Sequence, residues 1–380
     1  VAVGYNTAQN ITTGVQNTLI GSLAGDAFTT GTLNVALGYN SLGADTKGNR
    51  NTALGRNTLA AQNFTTSTSA YNVAAGFNAG GAVTTGLENT LIGSVAGDAL
   101  TDADYNVALG SSALGSDTLG SRSTALGYSA LFNQNFTTAT NSNNTAVGYA
   151  AGSQVTTGTL NTLIGSTAGD ALTTGGENVA LGYAALSADD VGGHSTAIGA
   201  FALQVQNFAT ATDSHNTAVG YAAGNQVTTG VRNTIVGGIA GDALTEGNDN
   251  TVFGYNTLTS DTLGDKTVAI GRSVLSSQNF TTATDTYNTA VGYAAGAQVT
   301  SGIDNTLIGG LAGDAITDAD FNTAVGTRAL SANQLGSYST AIGNDTLATQ
   351  NPTTAANMFN VAVGSGAGNT LTTGVQNTLI

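Results

Sequence analysis

Asn17-Thr18-Leu19-Ile20-Gly21 returns as Asn89-Thr90-Leu91-Ile92-Gly93, again from Asn161 and from Asn305, as the variant Asn233-Thr234-Ile235-Val236-Gly237, and opens once more at Asn377. The period is 72 residues. Each period holds four related pieces, opening in the first at Asn17, Asn34, Asn51 and Asn72, with steps of 17, 17, 21 and 17 residues. The organisation is therefore a partial repeat over 1–16, five repeats over 17–88, 89–160, 161–232, 233–304 and 305–376, and the start of another at 377–380. Of twenty complete pieces, sixteen open on Asn, the others on Ser123, Ser195, Thr267 and Ser339, and all twenty have Gly at the fifth position.

A 17-residue piece cannot enclose its own apolar side chains, whereas stacked copies can, so the period points to a solenoid. The motif is short, rich in β-branched residues and bounded by glycine, which reads as a strand. The fold class expected is all-β, a parallel β-solenoid or β-roll of 17/17/21/17-residue coils. Within a strand the second and fourth residues, such as Val35 and Leu37, share one face and the third points the other way. The third is Ala in fourteen pieces and Leu or Ile in every first piece, so both faces are apolar. The coil interior covers one, and a neighbouring identical chain is expected to cover the other.

Two further rows at the same spacing, Leu42, Leu114, Leu186, Leu258, Leu330 and Ile11, Val83, Val155, Val227, Val299, Leu371, supply the rest of the core. The invariant glycine marks a corner that a Cβ would obstruct. The recurrent Asn is expected to form an amide ladder along the stack, and twenty rungs at about 4.8 Å each would make a rod roughly 95 Å long. The third piece is four residues longer and carries Gln62-Asn63-Phe64 and its copies, ending in Gln350-Asn351-Pro352 with the only proline. Proline there suggests an excursion outside the ladder. Its end varies most between copies, and Tyr71, His215, Tyr287 and Phe359 are the candidate ligand-binding residues at projecting tips.

With 8% charged and 41% hydrophobic residues, the chain does not have the composition of a disordered segment. Its net charge of −15, from 23 acids and 8 bases, leaves too few cations for a phosphate-binding surface, so no nucleic-acid partner is expected. No apolar run is long enough to cross a bilayer, so no membrane insertion is expected from this segment. There is no cysteine, and hence no disulfide or thiolate site. A start at Val1 and a stop inside a motif suggest a window from a longer chain.

The units Asn144 to Gly152 (NTAVGYAAG), Asn178 to Tyr183 (NVALGY) and Ser195 to Gly199 (STAIG) resemble the head repeats of trimeric autotransporter adhesins, with a left-handed parallel β-roll, and similar repeats in phage tail-fibre proteins. The resemblance covers essentially the whole chain. It implies a left-handed roll, three associated identical chains and a place outside the cell, on the cell surface or on a virion. The coils here are longer than typical adhesin-head repeats.

Candidate chemistry is sparse. A hydrolytic triad needs a base, and only His194 and His215 are available, placed by spacing on adjacent rungs. Acidic rows at Asp26, Asp98, Asp170, Asp242, Asp314 and at Asp45, Asp117, Asp189, Asp261 lack calcium-roll spacing and read as turn aspartates bonding their own backbone. The denser Asp102-Ala103-Asp104 and Asp318-Ala319-Asp320 are the places to look for calcium. Tyrosine columns, Tyr5, Tyr149, Tyr221, Tyr293 and Tyr39, Tyr183, Tyr255, suit rung-on-rung packing or a sugar platform. No catalytic residue, metal ligand or cofactor is assigned. The expected function is a non-enzymatic extracellular fibre or adhesin segment that gives rigid spacing and multivalent attachment. The alternatives are a phage tail-fibre shaft for host recognition and a calcium- or glycan-binding β-solenoid.

Overall fold

A computed structural model describes all residues, 1–380. The chain is all-β with no helix, a parallel β-solenoid with about one 17-residue coil per strand, as the spacing requires. It divides into two compact units. One comprises Val1–Gly193 with Ala209–Ala211, and the other His194–Phe208 with Thr212–Ile380. The first unit runs from the strand Ala2–Val3 through Thr18–Ile20 and its successors to Val179–Leu181; the second runs from Thr196–Ile198 to Thr378–Leu379. Inside each unit every strand pairs in parallel with the next coil's strand, residue for residue. Thr145, Ala146 and Val147 face Thr162, Leu163 and Ile164, and Thr289, Ala290 and Val291 face Thr306, Leu307 and Ile308. In-register stacking follows from the fixed 17-residue step: a slip by one residue would turn the buried middle side chain outward.

The middle residue of each strand points into the coil, where Ala36, Leu91, Ala146 and Ile235 are wholly buried. The predicted rows line the same interior: Leu42, Leu114, Leu186, Leu258 and Leu330, with Val83, Val155, Val227 and Val299, have no exposed surface. A row absent from the sequence reading, Phe28, Leu100, Leu172, Leu244 and Ile316, completes it. Size is matched across rungs. Where the strand residue is large, as Leu91, the adjacent turn positions are Gly80 and Gly97, and a Cβ on either would lie within 2.8 Å of Leu91 methyl carbons. In the second and third coils of each repeat the same turn position is a leucine, such as Leu42 beside Ala36 or Leu59 beside Ala53, held at left-handed φ of 51° and 49°, whereas the fourth coil keeps both small, as Ala74 with Gly80, beneath the next large strand residue. Leu91→Ala therefore opens a cavity between two glycine turns that cannot fill it. The expected loss is about 3 kcal/mol, read as reduced hydrogen-exchange protection of the neighbouring rungs.

The opening Asn does not form the amide-to-amide ladder expected. Its Oδ1 accepts the backbone N–H of the next opener, as from Asn34 to Asn17 at 2.9 Å and from Asn250 to Asn233 at 3.0 Å. Its Nδ2 donates to a backbone carbonyl fourteen residues on, as Asn34 to Gly48 and Asn161 to Gly175, both at 2.9 Å. One side chain thus satisfies two backbone groups inside the coil that no strand partner reaches. Direct amide pairing is confined to a few places such as Asn51 to Asn34 at 3.2 Å.

The longer third coil is also anchored more firmly than an excursion outside the ladder. Gln62 and Phe64 are buried, while Asn63 between them, Thr65 to Ser67 and Ser69 are exposed. The returning strand pairs with the preceding coil: Thr68–Ser69 with Gly48–Asn49, and Thr284–Asp285 with Gly264–Asp265. Beneath it lies a polar cluster. Asp45 accepts hydrogen bonds from the backbone of Gly48 at 2.9 Å and Phe64 at 3.3 Å and from Gln62 Nε2 at 2.7 Å, and Gln62 Oε1 accepts from Asn72 at 2.9 Å. Asp117 and Asp261 make the same set of bonds. The turn reading of this row is thus correct but incomplete, because the carboxylates are also joined to the next coil. In the fifth copy Pro352 has no N–H to give, and at the aspartate's position stands Asn333, which closes both its bonds on Gly336. The acid is present where its donors are.

Burial pushes the carboxyls of Asp45, Asp117 and Asp261 above their ordinary value, against the lowering effect of these bonds. A raised folded value means that the folded state holds the proton more tightly. The cost is absent below about pH 4, where folded and unfolded forms are both protonated, and grows as pH rises through the raised value. The pair Asp117→Asn with Phe136→Pro copies the fifth repeat, and its stability relative to the parent chain should rise from pH 4 to neutrality. Denaturant unfolding at the two pH values checks the sign.

Candidate interaction surface

The first and third residues of every strand point away from the coil. They form two columns: Thr or Val in the first, and Ile, Leu, Val, Ala or Phe in the second, without a charged residue in either. Aliphatic members range from half-buried, as Val147 and Val219, to about two-fifths exposed, as Ile92 at 38%, Leu109 at 48% and Ile342 at 41%. On one side the face continues into the predicted tyrosine columns, with Tyr149, Tyr183, Tyr221 and Tyr293 all more than half exposed. Tyr128 and Tyr149 stack 5.6 Å apart at 10°, whereas Phe201 meets Tyr221 edge-on at 5.9 Å and 84°. Stacking rung on rung covers the ring face that a sugar would use.

On the other side runs the position immediately before each strand opener. It holds the four predicted ligand-binding residues, but not at projecting tips. Tyr71, His215, Tyr287 and Phe359 lie at the foot of the longer coil, beside the strand, with left-handed φ of 53°, 51°, 49° and 50°. All are exposed. Each is stacked on the same position of the preceding rung. The Arg50 guanidinium lies 5.4 Å over the Tyr71 ring, His194 and His215 are 5.2 Å apart, Lys266 Nζ is 5.1 Å from the Tyr287 centroid, and Tyr338 and Phe359 are 5.3 Å apart. Asp285 and the Tyr287 hydroxyl push the Lys266 ammonium up to about 12. The column also carries a bidentate pair, Arg232 to Asp249 at 2.6 and 2.9 Å, and Arg232 holds the Asp249 carboxyl below its ordinary value. This is a chemically varied stripe on an otherwise repetitive molecule. The structure brings the four residues onto one column position but not into a common pocket.

The remaining candidates resolve into structural roles. His194 Nδ1 lies 3.0 Å from Asp213 Oδ1 on the exposed surface. Asp104 accepts the Leu87 N–H at 2.7 Å, and Asp320 accepts the Ile303 N–H at 2.8 Å. Asp318 accepts from the Ser301 hydroxyl at 2.7 Å. No group of three or more His, Asp or Glu side chains converges as a metal site would require. Turn threonines spend their hydroxyls on the next coil, as Thr84 does on Thr101 at 3.1 Å. The sequence reading missed the buried Asp–Gln–Asn clusters, although the spacing from Asp45 to Gln62 and from Asp117 to Gln134 is one coil in each case.

No protein-family model matches this chain, and no curated protein is similar to it.

Proposed function

We propose that this chain is a non-enzymatic segment of an extracellular fibre or adhesin, associated with identical chains through its outward strand face. It provides rigid spacing and repeated weak contacts. The carrying observation is the charge-free face of half-exposed aliphatic side chains repeated on every rung. At two side chains per rung it amounts to roughly 1,000 Å² in each unit, comparable with one side of a stable protein interface. Exposed apolar surface of that extent marks an interaction site in a folded protein. The net charge of −15 per chain keeps the assembled fibres dispersed. The variable stripe that carries Tyr71, His215, Tyr287 and Phe359 supplies the outward contacts, which add by avidity along the rod. The likeness to trimeric autotransporter adhesin heads favours three chains and a cell-surface location.

Paired substitutions on the face provide the test. Ile92→Glu with Leu109→Glu should leave the coil intact, because both side chains point outward, and should shift the solution mass from an oligomer to a single chain. An unchanged oligomer would place the contact elsewhere.

A further inference from the structure

The buried cluster beneath the longer coil contains the parts of an acyl transfer. In the second repeat Ser123 Oγ lies 2.8 Å from Gln134 Nε2 and 2.5 Å from Ser142 Oγ. Gln134 Oε1 accepts from Asn144 Nδ2 at 2.8 Å, and Gln134 Nε2 donates to Asp117 Oδ2 at 2.6 Å. Ser123, Gln134, Asn144 and Asp117 have no exposed surface. The fourth repeat rebuilds this with threonine: Thr267 Oγ1 is 3.1 Å from Gln278 Nε2, Asn288 Nδ2 is 2.9 Å from Gln278 Oε1, and Asp261 Oδ2 is 2.5 Å from Gln278 Nε2.

A hydroxyl, a primary carboxamide and a donor on the carboxamide oxygen are a nucleophile, an electrophile and an oxyanion stabiliser, and the carboxylate that accepts from the carboxamide nitrogen positions the leaving group. Fixed proximity raises the effective concentration of the hydroxyl, and the dry interior keeps water from competing.

We propose that the chain closes intrachain ester bonds from Ser123 to Gln134 and from Thr267 to Gln278, with release of ammonia. Rotation about the glutamine Cγ–Cδ bond turns the carboxamide face toward the hydroxyl. The Oγ–Cδ bond forms while Oε1, carrying the developing charge, is held by Asn144 or Asn288. The Cδ–N bond then breaks, and the hydroxyl proton passes from Oγ to the adjacent carboxamide nitrogen, which leaves as ammonia. No other reactant is consumed.

The first and fifth repeats supply built-in contrasts. The first has Asn51 where Ser123 stands and Ala70 where Ser142 stands, so it has no hydroxyl. The fifth keeps Ser339 at 2.9 Å from Gln350 Nε2, but has Asn333 in place of the acid. The third carries the residue types of the second, with Ser195 Oγ 2.8 Å from Gln206 Nε2.

The test is peptide mass spectrometry of the whole folded chain after prolonged incubation. The peptides containing Ser123 and Gln134 should be recovered joined and lighter by one ammonia, as should those containing Thr267 and Gln278. Hydroxylamine should part them. The Gln62 and Gln350 peptides should stay unlinked. The double variant Ser123→Asn, Ser142→Ala copies the first repeat and so retains a natural way to fold. It should lose the second-repeat bond and keep the fourth. Unlinked peptides at both sites in the parent chain would overturn the proposal. So would conversion of Gln134 to a free carboxylate, which would show that water, not Ser123, attacks.

Discussion

Gly292→Ala should unravel the coils on either side of it, at a cost of at least ~3 kcal/mol. Gly292 closes its strand at φ of 134°, a conformation that an L side chain rarely adopts. A Cβ built there lies 2.6 Å from both the carbonyl carbon and oxygen of Gly309, the equivalent glycine one rung on. Both atoms belong to backbone, so no side chain can swing aside. Strand glycines throughout both units have φ between 122° and 143°, which accounts for glycine at that position in all twenty pieces. Because a solenoid is stabilised by nearest-neighbour contacts, the damage should be local. Hydrogen exchange should show lost protection around Gly271, Gly292 and Gly309, with distant rungs of the second unit unaffected. Uniform protection across the variant would contradict the close-approach argument.

Asn161→Asp should cost about 3–5 kcal/mol at neutral pH, although it changes one atom. In the parent chain Asn161 Oδ1 accepts the Asn178 N–H at 3.0 Å, while Nδ2 donates to the Gly175 carbonyl at 2.9 Å. Aspartate keeps the first bond but turns a second oxygen, with a charge, against a buried carbonyl. Protonation restores the donor, so the defect should shrink as pH falls toward the ordinary carboxyl value of about 4. Asn161→Ala leaves the same two backbone groups without partners at every pH, at a cost of about 2–3 kcal/mol. The contrast between the two variants in denaturant unfolding at pH 4 and pH 7 separates a lost donor from a buried charge.

Much of the fold was legible because a fixed step forces equal letters into register. The strand, the opposite facing of its middle residue and its two flanks, the glycine corner and the leucine and valine rows follow from position alone, whereas which face turns inward does not, because both are apolar. The hydrogen-bond partners of the opening Asn were less accessible. Repetition shows that asparagines stack; it does not show whether an amide meets its own kind or the backbone. That choice depends on a carbonyl fourteen residues away being left without a strand partner. The longer coil misled for a related reason. Four extra residues and a proline suggested projection, yet Gln62 and Phe64 fold back inward. The signal was present in two substitutions that travel together, Pro352 with Asn333, since losing the N–H at one removes a reason for the acid at the other. Tyr71, His215, Tyr287 and Phe359 were correctly placed on the surface by their variability, but variability alone could not tell a tip from the foot of a turn.

The outward strand face carries the functional account, and its occupancy can be weighed directly. Sedimentation equilibrium of the purified segment should give two or more times the 37.4 kDa chain mass, and the Ile92→Glu, Leu109→Glu variant should give the single-chain value. A parent chain that stays at its own mass while retaining its β-structure would contradict association through that face.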